Sequence, residues 1–324
     1  MNYNEFLFNV REGVKDLLEK GSCVKIQKIL KNNDIELEAL TVLTDESSVS
    51  PTIYLEPFYE DYLQGKNINE IVMEIYVLYR ENENQLHFDI DIFKDFDNVK
   101  DKIVYKLINT KSNRKLLRDV PHIPYLDLTI VFDCIFDNEY LGHATALIHN
   151  IHMNMWEVTK EQLYEMAKVN TPRLLRCELR EMNDLLHEIL LDDIQKTVCE
   201  ANNGYDTENG TIDANEVAEN LMKNMDEVKR QISMYVLTNQ QRMNGAASLL
   251  YENIIKDFAN VLHQDLFILP SSVHEVILVP DAGDIDREEL NDMVKSVNAT
   301  DLVAVDILSD HVYYYNRETD KITV

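Results

Sequence analysis

The sequence predicts an α+β protein: two or three small mixed-sheet units with flanking helices and a long amphipathic helix. Helical and alternating apolar periods replace one another along the chain, and turn signals separate the short alternating runs. One apolar seam, Leu175, Leu179, Met182, Leu186 and Ile189, keeps the spacing of a single helix reaching about Glu200. The 324 residues are 45% hydrophobic and 27% charged, ordinary globular values. At that length a large core forms without staples.

The elements follow in order. Residues 4–20 read as an amphipathic helix, with Phe6, Val10, Val14 and Leu17 on one stripe and Gly21 as its stop. Val24–Leu30 and Ile35–Leu40 alternate around Asn32-Asn33-Asp34, a hairpin signal. Pro51–Leu55 adds a short strand, and Asn67–Tyr79 returns to a helical period. Phe88–Asn98 reads as a short acidic helical stretch, and Ile103–Ile108 as a strand. Asn113–Val120 gives one or two helical turns, ended by Pro121. Leu126–Phe136 and Leu141–Met153 are expected as paired strands joined at Asp137-Asn138-Glu139, before the long helix. Beyond residue 213 the pattern gives a helix (Ala214 to about Lys229), a strand (Met234–Thr238) and a helix (Ala246–His263). Two strands flank Pro270, followed by a helix (Asp286–Ser296), a strand (Val303–Leu308) and a closing hairpin that opens at Val312.

This divides the chain into an N-terminal α+β unit (1–95), a central strand-pair and long-helix unit (96–200), an acidic Asn/Gly linker (201–216) and a C-terminal α+β unit (217–324). There is no repeat of fixed short period and no low-complexity tract.

Charge narrows the function. With 58 acidic and 31 basic residues the formal net charge is −27. Such a surface repels phosphate backbones and acidic membranes within a Debye length of roughly 8 Å. Direct nucleic-acid binding and membrane association are therefore not expected. The acid excess reads first as a solubility device, and second as the surface of an acidic mimic or antagonist of a nucleic-acid-binding protein. Cys23, Cys134, Cys177 and Cys199 include no CxxC pair, which points to free thiols in a reducing compartment. The opening Met1–Phe6 has no basic n-region or small-residue cleavage site, and no uncharged apolar run reaches the roughly 18 residues of a membrane span. The expectation is a cytoplasmic protein.

Four stretches are candidates for chemistry. Ser271-Ser272-Val273-His274-Glu275 supplies a hydroxyl, a base and an acid, the components of an activated nucleophile. In a regular strand starting at Ser272, however, Ser272 and His274 share one face and Glu275 takes the other. A carboxylate from elsewhere would have to complete the set, and no G-x-S-x-G elbow is present. Residues 205–216, with Gly210 at the sixth position, place Asn209, Asp213 and Glu216 at EF-hand positions. Tyr205 and Thr207 stand where the first ligands belong, so no metal is favoured there, and calcium is kept as the one cofactor to test. His149 and His152 lack the further ligands zinc needs. Lys100, Lys102, Lys106, Lys111, Arg114, Lys115 and Arg118 form the local basic cluster, suited to a phosphate or to the chain's own carboxylates. No P-loop or G-x-G-x-x-G is present, and the chain has only eight glycines.

Several motifs together carry a resemblance: Lys106-Leu107-Ile108-Asn109-Thr110, Val120-Pro121-His122, Asn170-Thr171-Pro172, Tyr235-Val236-Leu237-Thr238-Asn239, Asn244-Gly245-Ala246-Ala247 and Leu269-Pro270-Ser271-Ser272-Val273-His274-Glu275. Over nearly its whole length the chain resembles an uncharacterised domain-of-unknown-function family of anaerobic gut Gram-positive bacteria. The resemblance implies a bacterial α+β protein and supplies no activity.

The resulting expectation is a non-enzymatic cytosolic binding or regulatory protein whose partner is a protein or a small-molecule ligand. Asn239, Asn244 and Gly245, in a polar strand-to-helix turn, are the expected contact residues. The alternative is a hydrolase using Ser271 or Ser272 with His274. A carboxylate within reach of His274 and a cleft above it would distinguish the two.

Overall fold

A computed structural model describes residues 1–19, 21–43, 51–83, 93–138, 142–202, 233–270 and 272–324. The expected linker core and calcium loop, with Asn209, Asp213 and Glu216, lie outside the described residues, as does Ser271. The fold is α+β, with antiparallel sheets of three, four and six strands. The chain packs as two compact units, Met1–Thr171 and Pro172–Val324. No helix among the described residues is long and apolar enough to cross a membrane.

The first unit opens with α1 (Tyr3–Leu17), started by a reciprocal cap. The Asn2 side chain accepts from the Glu5 N–H at 2.9 Å, and the Glu5 carboxylate accepts from the Asn2 N–H at 3.0 Å. Phe6, Val10 and Val14 form its buried stripe. They pack on the sheet β1 (Cys23–Leu30), β2 (Glu36–Leu43) and β3 (Ile53–Tyr54), and on α3 (Ile68–Glu83) through Ile71 and Ile75. Between β3 and α3 lies a helix the apolar period did not reveal, α2 (Glu56–Leu63), with Pro57 in its first turn.

A second layer follows α4 (Phe96–Val99). Its sheet contains β4 (Ile103–Asn109), β5 (His122–Tyr125), β6 (Leu128–Asn138) and β7 (Gly142–Leu147), with β6 pairing all three others. β5 is short and carries Pro124, which removes a ladder donor and hides the strand from a pattern reading. The strand expected to reach Met153 ends at Leu147. Residues Asn150–Met155 are instead helix α5, followed by α6 (Lys160–Leu174).

The second unit corrects the start of the long helix. Leu179 lies on strand β8 (Cys177–Glu181), and α7 begins at Met182 and runs to Asn202. Backbone pairing decides this: β8 lies antiparallel to β9 (Tyr235–Asn239), with Leu179 opposite Leu237. The helix expected over 246–263 is split. Residues Gly245–Leu250 form a 3-10 helix, Asn253 takes a left-handed φ of 65°, and α8 (Ile254–Leu262) starts after it. Strands β10 (Leu266–Leu269) and β11 (Val276–Pro280) flank Pro270. α9 (Arg287–Thr300) and the hairpin β12 (Tyr313–Asn316) and β13 (Lys321–Thr323) complete a sheet of order β13-β12-β10-β11-β9-β8. The strand expected over 303–308 reduces to one antiparallel bridge, Ser272 to Ile307.

Cys23, Cys134 and Cys177 are free thiols. Cys134 is fully buried, and burial pushes its thiol up to about 12. Cys23 is exposed. Iodoacetamide at neutral pH is therefore expected to label Cys23 and to spare Cys134 until the chain unfolds. Peptide mapping of the native protein checks this, and equal labelling rates would contradict the burial of β6.

Candidate functional site

The motif residues of the second unit interlock where β9 ends and the chain enters the 3-10 helix. Three of them and the neighbouring Ser248 are buried polar groups, and each has a partner. Thr238 Oγ1 donates to the His274 carbonyl at 2.7 Å, and Ser248 Oγ donates to the Thr238 carbonyl at 3.0 Å. The Asn239 side chain donates to the Met243 carbonyl at 2.8 Å and accepts the Met243 N–H at 3.2 Å. Ser272 Oγ accepts the His274 N–H at 3.0 Å. Buried polar groups satisfied in this way fix one arrangement of the chain. Gly245 closes the junction, because a Cβ there would run into Thr238 Oγ1 and the His274 carbonyl. The expected contacts Asn239 and Gly245 are buried in this junction, and Asn244 holds a left-handed φ of 51° beside it.

His274 has both ring nitrogens engaged. Nδ1 receives the Asn244 N–H at 3.4 Å, and Nε2 lies 3.4 Å from Asp306 Oδ1. Both contacts are long for hydrogen bonds. Together they favour the Nε2–H tautomer, with Nδ1 as acceptor. Asp306 is thus the carboxylate from elsewhere, held beside His274 by its own carbonyl, which accepts the Val273 N–H at 2.8 Å. The serine side of a relay is not assembled. Ser272 is 2% exposed, and its hydroxyl faces the backbone of His274, not the ring.

Glu275 leads to a different feature, a cleft of about 250 Å³ between α7 and the sheet. Its floor is two cross-strand rows. Arg180, Val236 and Ile277 stand side by side, and Glu178 and Thr238 form the next row, which Glu275 extends. Above them α7 contributes Met182, Leu185, Leu186 and Ile189, the i, i+3, i+4, i+7 face of a helix. Ser272, His274 and Asn239 do not line it. The strand expected to start at Ser272 begins only at Val276, so alternation does not govern Ser272, His274 and Glu275.

The charges in the cleft are unevenly matched. Arg180 is held by Glu188 at 2.6 Å and lies 3.9 Å from Glu178. The Glu275 side chain is half-buried and has no ion pair among the described residues, and Arg242 stands exposed at the rim. Glu178, Arg180 and Arg242 escaped the sequence reading, since only strand register and the turn after β9 bring them together, and Leu185 did so because it stands beside the seam on α7.

No group of three or more His, Cys, Asp or Glu among the described residues is placed to hold a metal ion. His149 Nδ1 is 2.8 Å from Asp119, and the His149 N–H donates to His152 Nδ1 at 3.1 Å. Burial, with His149 beside it, lowers the His152 ring below its usual range.

The sequence model of a family of unknown function, DUF5688, matches residues 3–317. The chain belongs to this family. No curated protein and no solved structure is similar to it. In this DUF5688 chain, the Tyr-Val-Leu-Thr-Asn and Pro-Ser-Ser-x-His-Glu stretches meet at the buried junction, and the cleft opens beside it.

Proposed function

We propose that the chain is a non-enzymatic binding protein whose ligand is a small amphipathic molecule, a compact apolar body carrying an ammonium group, held in the cleft under α7. The observation that carries this reading is Glu275, a half-buried carboxylate without an ion-pair partner among the described residues, set beside the apolar wall of Met182, Leu185, Leu186 and Ile189 with Glu178 in its row. A carboxylate so placed gains most from a ligand that brings the missing positive charge. Arg242 at the rim offers a contact for a carboxylate, so an apolar amino acid fits the whole lining. The setting we infer is a bacterial cytoplasm, in keeping with the motif resemblance and with three free thiols.

Three ligands with one apolar body test the charge assignment by calorimetry: leucine, isopentylamine and 4-methylpentanoate. Binding of the two ammonium compounds, with none of the acid, is expected. Glu275→Gln should weaken the amine at least tenfold, as loss of a charge-assisted bond of about 1.5–3 kcal/mol implies. Leu186→Trp should block the cleft. Equal binding of the acid, or an unchanged affinity in Glu275→Gln, would refute the assignment.

A second reading, ester or amide hydrolysis through Ser272 and His274, has Asp306 in its favour. It requires the Ser272 hydroxyl to leave the His274 N–H and reach the ring. Hydrolysis of p-nitrophenyl acetate that is lost in both Ser272→Ala and His274→Ala would establish it.

A further inference from the structure

The cations of the 100–118 stretch fall into two groups. Lys100 pairs with Asp97 at 2.7 Å, Lys106 with Asp133 at 2.8 Å and Lys115 with Glu36 at 2.8 Å. Lys102 sits over the Phe136 ring at 5.4 Å. Lys111, Arg114 and Arg118 have no ion pair among the described residues, and all three line one open hollow of about 630 Å³ in the first unit. His122 lines it too, with its Nδ1 2.9 Å from the Val120 carbonyl.

Local structure explains the sorting. The three stand on a turn over 110–115 and the 3-10 helix Leu116–Arg118 that follows it, and all three face the same hollow. Lys115 leaves on another side, toward Glu36. The turn is fixed without any ligand. Asn113 is fully buried, and its amide donates to Asn33 Oδ1 at 3.1 Å and to the Asn109 carbonyl at 2.8 Å. The Asp34 carboxylate accepts the N–H groups of Lys115 at 2.8 Å and Leu116 at 3.1 Å. The backbone that carries the three side chains is thus ordered before any ligand binds, which leaves only the side chains to be fixed.

In a chain of formal charge −27, a hollow lined by three cations and one carboxylate, Asp127, is an exception to its overall field. Salt screens that field beyond roughly 8 Å, so a compact anion in the hollow meets mainly the local positive charge. A long polyanion would run on across the acidic surface. Two guanidinium forks match the planar oxygen edges of phosphate, with lysine as a point charge. Asp127 also lines the hollow and disfavours an anion that spreads toward it, while Leu117 gives an apolar wall for a carbon skeleton.

We propose that Lys111, Arg114 and Arg118 form a binding site for a small phosphorylated molecule. Calorimetric titration of the full chain at low salt with inorganic phosphate, pyrophosphate and ribose 5-phosphate tests this. Saturable binding of at least one of the three is expected, weaker at about 0.15 M salt. If ribose 5-phosphate binds more tightly than inorganic phosphate, the ligand is an organic ester using the Leu117 wall; the reverse order assigns an inorganic anion. R114Q/R118Q should weaken binding at least tenfold, and R114K/R118K, which keeps charge without the forks, should fall between. K100Q, outside the hollow, should bind within twofold of the natural chain. Both arginines are exposed, and an unchanged melting temperature confirms that the variants fold. No saturable binding of any of the three by the natural chain, or equal affinity in R114Q/R118Q, overturns the proposal. Tighter binding of a single-stranded oligonucleotide through the same residues would also overturn it, in favour of nucleic acid.

Discussion

Lys106→Met is expected to destabilise the Met1–Thr171 unit by about 3 kcal/mol or more, the cost of leaving a buried charge alone. Asp133 lies on β6 and is 1% exposed. Lys106 Nζ is 2.8 Å from its Oδ2, and among the described residues no other hydrogen-bond donor is in place for either oxygen. The two side chains meet diagonally across the sheet, since Lys106 is registered with Val131 and Asp133 with Val104. Without the ammonium, the Asp133 carboxylate is left in an apolar layer with no opposite charge beside it, and that costs stability. The pair itself is a different matter. Replacing both partners by apolar residues of similar size removes both desolvation penalties, so Lys106→Met/Asp133→Leu should recover most of the loss. Urea unfolding followed by hydrogen exchange at β4 and β6 amides reads the first unit separately. A single variant as stable as the natural chain would show that Asp133 has another partner. A double variant as unstable as the single would show that the loss is one of packing, not of charge.

The same pair shows why part of the molecule could be read in advance. The hairpin of β1 and β2 and the stripe of α1 were legible because alternation, periodicity and caps act over a few residues. The basic cluster was legible as a list, but its division was not. Which lysine meets Asp133 or Glu36, and which faces solvent, depends on sheet register and on Asn113 reaching Asn33 across the unit. The apparent seam from Leu175 to Ile189 misled for a related reason. Its spacing suits a helix, yet Cys177–Glu181 gains more by pairing with β9. The site shows the same limit. Ser272, His274 and Glu275 stood out by residue type and Asn244 by its turn, while Asp306 and Arg242 came to them only through the fold.

Gly245→Ala tests whether the junction beside the cleft is a tight structural joint. The added methyl group would meet Thr238 Oγ1 and the His274 carbonyl, the two ends of one hydrogen bond, with the Asn239 N–H behind them. None of these is the far end of a flexible side chain. Thr238 is tied to β9, and His274 stands between the Ser272 bridge and β11. The chain must therefore part at this point and lose the Thr238–His274 bond. We expect destabilisation of about 3 kcal/mol, the upper end of overpacking costs. For a unit of this size that lowers the melting temperature by roughly 6–12 °C. The effect should reach function as well, because Thr238 and Glu275 sit on either side of that bond and both line the cleft. Amides of β9 and of residues 245–250 should exchange faster in the variant, and affinity for the ammonium ligand should fall with Glu275 intact. A variant that melts within a degree of the natural chain would mean the two strand ends are not in contact. The close packing of Thr238, Gly245 and His274, and the placement of Glu275 that follows from it, would then be wrong.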